Sequence, residues 1–258
     1  MADQLAKPAP TFLALDPGAL DGATRLAWVR ARNEERLAAG LATIAGFVDA
    51  YGIITLGVYV SFMSGNTTQA GYETAQGAFR AAALSALAIL FFVLGSFAAT
   101  LLAEFGGRHA RRLAHGVVAA ALAGVAGLTG LGLLTGAAAI ASISVAMGIM
   151  NSALSRVGAQ SVSVGFVTGT LSRVGSHLAL AARRAPMPDA QGSWDTHSRR
   201  ALMLARVWAG FLTGALVSGA ATPRFGAWVL LGPALVLAAM AAFDRSQPSL
   251  RPAASQSA

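Results

Sequence analysis

Cysteine is absent from this chain, so disulfide bonds, thiolate metal ligands and a cysteine nucleophile are excluded. Charged residues are scarce as well: they form 12% of the sequence, against roughly 25% in an average soluble domain. The four histidines lack the spacing of a metal-binding helix, and we expect neither a metal nor a cofactor. A composition so poor in charge argues against a soluble domain.

Apolar sequence is what the chain has in abundance. Hydrophobic residues make up 55% of it, and the mean hydropathy is +0.59. No ionisable side chain occurs between Gly116 and Leu154. Because about 20 apolar residues cross a bilayer, this run is long enough for two spans joined by a tight turn near Thr135. The sequence therefore predicts an all-α, multi-pass membrane protein.

The predicted membrane domain covers residues 37–243 and contains six spans. Residues 1–36 are expected to form a polar leader, disordered at first and then a short surface helix over Asp21–Arg36. Residues 244–258 are expected to form a disordered tail. The six spans are about Leu37–Val60, Ala81–Ala103, Gly116–Leu134, Gly136–Leu154, Ala201–Ala221 and Gly226–Phe243.

A polar pattern occurs twice between these spans, as SGNTTQAG at Ser64–Gly71 and TGTLSRVG at Thr168–Gly175. We call these the first and the second motif. A shorter glycine-led segment precedes each of them, GFVDA at Gly46–Ala50 and GIMNS at Gly148–Ser152. Because the pattern recurs in matching places of an apolar chain, it indicates two halves that share one design.

The placement of basic residues predicts how the two halves lie in the membrane. If the motif segments do not cross, every Lys and Arg except Arg80 and Arg224 falls on the side that the positive-inside rule assigns to the cytoplasm. Both termini are then cytoplasmic, and repeat one (about 37–134) and repeat two (about 136–243) have three spans each. Because each repeat has an odd number of spans, the second repeat has the opposite orientation in the membrane to the first. The prediction is a 3+3 inverted repeat with two re-entrant or broken motif helices, as in many secondary transporters.

The same rule accounts for the net charge of +8, and we expect no nucleic-acid partner. The expected partners are the lipid bilayer, a small solute or ion, and a second copy of the chain in a homo-oligomer.

The motif residues are predicted to bind or gate a solute near the middle of the membrane. Hydroxyl and amide groups there can satisfy irregular backbone or hold a ligand. With Ser64 and Thr168 as N-caps, the free N–H groups of each helix start favour an anion or a carbonyl-rich solute. The alternative is helix packing, the interpretation that we give to Gly95, Gly210 and Gly214. The candidate site residues are Asp49, Ser64, Gly65, Asn66, Thr67, Thr68, Asn151, Thr168, Gly169, Thr170 and Arg173.

Asp49 is the only acid inside a predicted span, and its counterpart in the second half is Asn151. An ionisable residue at membrane depth is costly and points to function, here as a proton carrier. The structural alternatives are an ion pair with Arg173 or Arg156, or capping of the broken helix beside it. Arg173 itself can bind an anion, pair with Asp49 or extend to the cytoplasmic interface.

The segment GFVDAYGIITLGVYVSFMSGNTTQAG, followed far downstream by TGTLSRVG, resembles the YoaK-like family of bacterial inner-membrane proteins. The resemblance extends over about Leu37–Phe243, while the insert Pro186–Ser198 looks particular to this chain. It implies a multi-pass inner-membrane protein without an assigned activity. The family-like positions are Asp49, Ser64, Gly65, Asn66, Thr67, Thr168, Gly169 and Thr170.

Two functions from different classes follow from these patterns. The first is a secondary transporter or channel for a small solute, with the paired motifs as gate and site and Asp49 as proton coupler. The alternative is a membrane scaffold or sensor that does not transport. A polar cavity between Asp49, Asn66 and Thr170 favours transport, whereas dry packing there favours the scaffold. We expect no enzyme, because no serine at depth has a partnered base.

Overall fold

The computed structural model describes residues 22–105, 109–154 and 167–243, and these ranges are helical without any β-strand. The predicted all-α class is therefore confirmed for them. Eight α-helices follow one another there, and a 3-10 helix, Gly226–Leu230, joins the last two. The α-helices are α1 Gly22–Leu56, α2 Met63–Ala75, α3 Phe79–Phe105, α4 Ala110–Gly130, α5 Gly136–Leu154, α6 Val167–Ala182, α7 His197–Phe225 and α8 Leu231–Phe243.

Four helical runs in the described ranges are long and apolar enough to cross a membrane. They are Thr24–Leu56, Phe79–Phe105, Ala110–Gly130 and His197–Phe243, and Gly136–Ser152 is a shorter apolar helix. The run that ends at Phe243 consists of α7, the 3-10 helix and α8. The chain is thus a helical, membrane-type protein.

Helix α1 differs from its predicted form at both ends. It is one helix of 35 residues from Gly22, so the surface helix predicted over Asp21–Arg36 is continuous with the first span. It ends at Leu56, before the predicted Val60. The reason lies in Gly57, whose φ of +75° is a left-handed conformation that stops an α-helix.

The break predicted between the last two spans lies at the 3-10 helix. Pro223, near the end of α7, has no backbone N–H for the helix ladder. Gly226 then takes a φ of +54°, while its N–H still bonds to the carbonyl of Thr222. Beyond this turn, α8 packs mainly against α4. The apolar run His197–Phe243 therefore contains two α-helices with different packing partners, α1 for α7 and α4 for α8.

Glycines bring two pairs of helices into backbone contact, α1 with α7 and α3 with α5. A Cβ added at the central glycines would lie 1.9–2.2 Å from a carbonyl oxygen of the opposite helix, which leaves no room for a side chain. The packing role predicted for Gly95 and Gly214 is confirmed. The glycines and the residues whose carbonyls they face are Gly46 with Phe211, Gly214 with Thr43, Gly148 with Phe92, and Gly95 with Val145.

The helices bury a shared apolar core and leave apolar side chains on the outside. Leu41, Leu122 and Ile143, from α1, α4 and α5, are fully buried. Phe97 and Leu216 are more than half exposed. Apolar surface of this extent fits contact with lipid tails rather than water.

Candidate functional site

The loop between α1 and α2, residues 57–62, is held by a buried carboxylate. Asp49 is 4% exposed, and its Oδ1 accepts the N–H groups of Val60 at 2.9 Å and of Ser61 at 2.7 Å. Its Oδ2 accepts the Ser61 hydroxyl at 2.6 Å. Both carboxylate oxygens of Asp49 are thus hydrogen-bonded to the loop between α1 and α2. Hydrogen bonds to a charged acceptor are stronger than those between neutral groups. This geometry favours the alternative in which Asp49 caps the broken helix.

Asn66, the third residue of the first motif, holds the same loop from the other side. Its side chain is fully buried. Nδ2 donates to the Tyr59 carbonyl at 2.6 Å, and Oδ1 accepts the Tyr59 N–H at 3.0 Å. An amide offers a donor and an acceptor side by side at neutral pH, which is what the Tyr59 backbone needs. Tyr59, the partner of Asn66, and Ser61, a partner of Asp49, were not among the predicted site residues.

Gln69 and Glu73 extend these contacts from the loop towards α3. The Gln69 Nε2 donates to the Gly57 carbonyl at 2.8 Å and to the Glu73 Oε1 at 3.0 Å. The hydroxyl of Ser85, on α3, lies 3.4 Å from the Glu73 Oε2. The sequence favoured an interfacial position for Glu73, which lies outside the motif, but its side chain is buried. Its spacing of four residues from Gln69, which places both on one helix face, was the available signal.

The prediction that Ser64 is the N-cap of its helix is wrong. Helix α2 begins at Met63, and its N-cap is Phe62, which makes no side-chain capping bond. The N–H of Asn66 bonds to the Phe62 carbonyl at 3.3 Å, which places the first turn two residues earlier than predicted. In the second motif Thr168 follows Val167, the first described residue of α6.

The outer face of the first motif lines an open cavity of about 490 Å³. Ser64 and Thr68 are exposed there, and the Thr68 hydroxyl donates to the Ser64 carbonyl at 3.1 Å. Thr67, also exposed, bonds back to Met63 at 2.8 Å but does not line the cavity. Aromatic rings complete the walls. The lining residues are Ile53, Tyr59, Phe62, Ser64, Gly65, Thr68, Gln69 and Tyr72.

The second motif repeats the exposure pattern of the first. Thr170, in the position of Asn66, is buried, while Thr168 and Arg173 are exposed and Gly169 is half-buried. Asn151, the counterpart of Asp49, is half-buried near the end of α5. The loop that would correspond to 57–62, and the predicted partner Arg156 within it, lie outside the described residues.

The two motif helices pack on different neighbours. Helix α2 lies mainly against α3, and α6 lies mainly against α7. Asp49 and Asn66 are joined through one loop, whereas Thr170 belongs to the other helix pair. The meeting of the two motifs near the middle of the membrane stays a prediction.

The link from α6 to α7 is built around a buried arginine. Arg200 donates Nε and Nη2 to the two oxygens of Asp195 at 2.9 and 2.7 Å, and Nη1 to Asp189 at 2.7 Å. Burial raises the pKa of Asp195, but the bonds from Arg200 and the Gln191 N–H outweigh it and hold that pKa below its usual value. The hydrogen bond from Arg200 also lowers the pKa of Asp189. This cluster lies in the insert 186–198 and the first turn of α7, and sequence reasoning missed it.

The same link is tied to the N-terminal part of α1. Arg199 forms an ion pair with Glu35 and stacks over the buried Trp194 ring at 4.5 Å. His177 of α6 and His197 of α7 meet with their Nδ1 atoms 3.0 Å apart. The polar extension of α1 is thereby part of the folded unit.

A family model for DUF1275, described as protein of unknown function, matches residues 37–243. The chain belongs to the DUF1275 family. The match spans the same stretch as the resemblance seen in the sequence, from the middle of α1 to the end of α8; the narrower YoaK-like name stays a prediction. No curated protein and no solved structure matches the chain. The DUF1275 region includes both motifs but not Glu35, the partner of Arg199.

Proposed function

We propose that this DUF1275 protein moves a small, polar, uncharged solute across a bacterial inner membrane, as a secondary transporter or channel. The observation that carries the proposal is the cavity of about 490 Å³ on the outer face of the first motif. Its floor is a loop fixed by Asp49 and Asn66, and its rim carries exposed hydroxyl groups. Pockets with mainly apolar walls and a few placed polar groups are typical of small-molecule sites.

The lining residues favour a neutral ligand over an anion. Ser64, Thr68 and Gln69 offer hydroxyl and amide groups, and Tyr59, Phe62 and Tyr72 offer ring faces. None of the side chains that line this cavity carries a charge at neutral pH. Aromatic rings beside hydroxyl and amide groups suit a polyol, an amide or a similar small polar molecule.

The 3+3 inverted repeat is part of the same proposal. Its support is the correspondence between the α1–α7 and α3–α5 contacts, in which Gly46 and Gly148 of the two glycine-led segments each face a carbonyl at a helix crossing. The motif helices have 13 and 16 residues, fewer than the about 20 needed to cross. We therefore propose six spans, two half-crossing motif helices and cytoplasmic termini.

Uptake into proteoliposomes tests the proposal, with a screen of radiolabelled neutral polar solutes with and without a proton gradient. Thr68→Val and Thr67→Val form a matched pair, because each loses one hydroxyl bond to a carbonyl four residues earlier in α2. Only Thr68 lines the cavity. We expect Thr68→Val to reduce uptake at least tenfold and Thr67→Val to leave it nearly unchanged. Equal uptake by both variants contradicts a site at this cavity.

Asp49 can be tested separately as a proton coupler. Asp49→Asn preserves the cap, since an amide oxygen can accept the N–H groups of Val60 and Ser61 and its NH₂ can donate to the Ser61 hydroxyl. Asp49→Ala removes it. If Asp49 carries the proton, both variants lose gradient-driven uptake. If Asp49 serves the loop, only the Ala variant is inactive, which is the result the hydrogen bonds favour.

The second candidate is a non-transporting scaffold or sensor, without enzymatic activity. The internal hydrogen bonds of Asp49 and Asn66 favour it, because they engage the polar atoms of both side chains with the loop 57–62. A folded protein that takes up no solute in the screen, and whose Thr68→Val variant behaves as the unmodified protein, supports this alternative.

A further inference from the structure

A groove of about 1140 Å³ runs between α4 and α8, on a face that the proposed transport site does not use. Its walls are small or apolar side chains, among them Gly116, Ala120 and Ala123 of α4 and Ala234 and Ala238 of α8. Small residues on both helices keep the groove open, while the exposed side chains of Leu113, Val117 and Leu235 stand along it.

The polar groups of this groove are confined to one end. His109 and Arg112, at the start of α4, line that end, and both are exposed. Among the described residues, no carboxylate forms an ion pair with Arg112. Gly130, at the end of α4, lies against the Trp228 ring just before α8, so the two helices run in opposite directions. The cationic end of the groove therefore lies beside Ala241 and Ala242, near the end of α8. An apolar groove with one cationic mouth is the result.

The length of the groove matches one leaflet of a membrane. From Arg112 to Ala123 the helix rises about 16 Å at 1.5 Å per residue. Half of a hydrocarbon core of about 30 Å is close to this value. The cationic mouth then lies at the level of the lipid headgroups, and the apolar walls lie at the depth of an acyl chain.

We propose that the α4–α8 groove binds one anionic phospholipid, with an acyl chain between the helices and the phosphate at Arg112 and His109. A guanidinium binds phosphate through two parallel N–H bonds. Basic pockets at the ends of membrane helices recognise acidic headgroups by the same chemistry. A second copy of this chain is a poorer occupant, because its net charge of +8 does not complement the cationic mouth.

The test is binding of phosphatidylglycerol and phosphatidylcholine with identical acyl chains to the purified protein, measured by native mass spectrometry in detergent. We expect the anionic lipid to bind more tightly. Arg112→Gln should weaken its binding about fivefold, the effect of one basic residue near an anionic headgroup. Arg80→Gln, which removes an exposed arginine at the start of α3, is the control and should have no such effect.

Ala120→Phe provides the second variant, because a ring at this position fills the groove. We expect it to weaken both lipids while the protein keeps its helical content by circular dichroism. Equal affinity for the two lipids in the unmodified protein overturns the proposal, and so does an equal loss in Arg112→Gln and Arg80→Gln. A change from dimer to monomer in Ala120→Phe, without any effect on lipid binding, assigns the groove to a second copy instead.

Discussion

The two motifs share a pattern of exposure but differ in chemistry. Asn66 and Thr170, each the third residue of its copy, are buried, and the residues around them are exposed or half-exposed. Beyond the buried position the first motif has the exposed Thr68 and the half-buried, neutral Gln69. The second has Arg173 at the place of Gln69. The buried position is thus common to both halves, and the exposed positions distinguish them.

This difference separates two tasks within one short pattern. The buried amide of Asn66 fixes a loop through Tyr59, a task that belongs to the fold. The exposed Thr67 and Thr68 bond to carbonyls of their own helix. The two copies therefore differ in the group at the place of Gln69 and Arg173, while both carry exposed hydroxyl groups, Ser64 and Thr68 in the first motif and Thr168 and Ser172 in the second.

A charge at the buried position of the first motif, Asn66, is expected to have the largest effect on stability. Asn66→Asp sets a carboxylate against the Tyr59 carbonyl, which now lies 2.6 Å from the amide nitrogen. The free energy of unfolding should fall by about 3–5 kcal/mol, because the charge is buried without a partner. Below about pH 4 the protonated side chain can donate to that carbonyl again and recover part of the loss. Thermal unfolding in detergent at pH 7 and at pH 4 measures both.

The control for that comparison is Ser64→Asp, which puts the same charge on an exposed position of the same helix. We expect a change within about 0.5 kcal/mol. A similar loss in the two variants shows that charge on α2, rather than burial of Asn66, is responsible.

Next in size is the loss of the buried arginine that orders the α6–α7 link, which has no equivalent in the short link between α2 and α3. Arg200→Met leaves Asp195 buried without its partner and should cost about 3 kcal/mol. Because the pKa of Asp195 is lowered in the folded protein, this stability is present above its ordinary pKa and is lost as the pH falls through the folded value. Proteolysis of the link between pH 7 and pH 3 measures it. Asp195→Asn should flatten that pH dependence; an unchanged profile contradicts this account.

A smaller loss of stability is expected at the two glycine crossings, α1 with α7 and α3 with α5, where matching substitutions can be made in both halves. Gly46→Ala and Gly148→Ala would place a Cβ 2.0 and 2.2 Å from a carbonyl of the opposite helix, so both should lose about 1–3 kcal/mol. Gly124→Ala, where nothing lies within 4 Å, should be neutral or stabilising. Unfolding temperatures of the three variants decide this. A loss in only one of the crossing variants breaks the proposed equivalence of the halves.

The smallest effect on stability is expected on the exposed faces of the motifs. Thr68→Ala and Ser172→Ala each remove one exposed hydroxyl and should change stability by less than about 0.5 kcal/mol. In the uptake assay they should differ, because only Thr68 lines the cavity. Equal uptake by both variants, with stability unchanged, means that the two copies do not differ in function.

Hydropathy and glycine spacing were sufficient to predict the helical class, the break near Gly226 and the packing faces at Gly95 and Gly214. They report long apolar helices and close backbone contacts, which depend on residue type alone. The end of α1 was placed four residues late, at Val60 rather than Leu56. Loop 57–62 is as apolar as a span, and only the φ of Gly57 shows where the helix stops.

Roles within the site were less predictable. Asp49 and Asn66 were recognised as important because polar residues are rare in such a chain. Their partners were not, because Val60, Ser61 and Tyr59 bond mainly through backbone atoms that a side-chain pattern does not reveal. The link around Arg200 was missed for a different reason. Ion pairs between residues of opposite charge leave no periodic signal in a sequence.

The length of α1 has a mechanical consequence. At 1.5 Å per residue, about 21 Å of unbroken helix separates Glu35, which holds Arg199, from Asp49, which holds loop 57–62. Helix α1 thus has a fixed contact at each of these residues, and between them it crosses α7 closely at Gly46. A tilt of α1 about that crossing would move Glu35 and Asp49 in opposite directions, because they lie on opposite sides of Gly46.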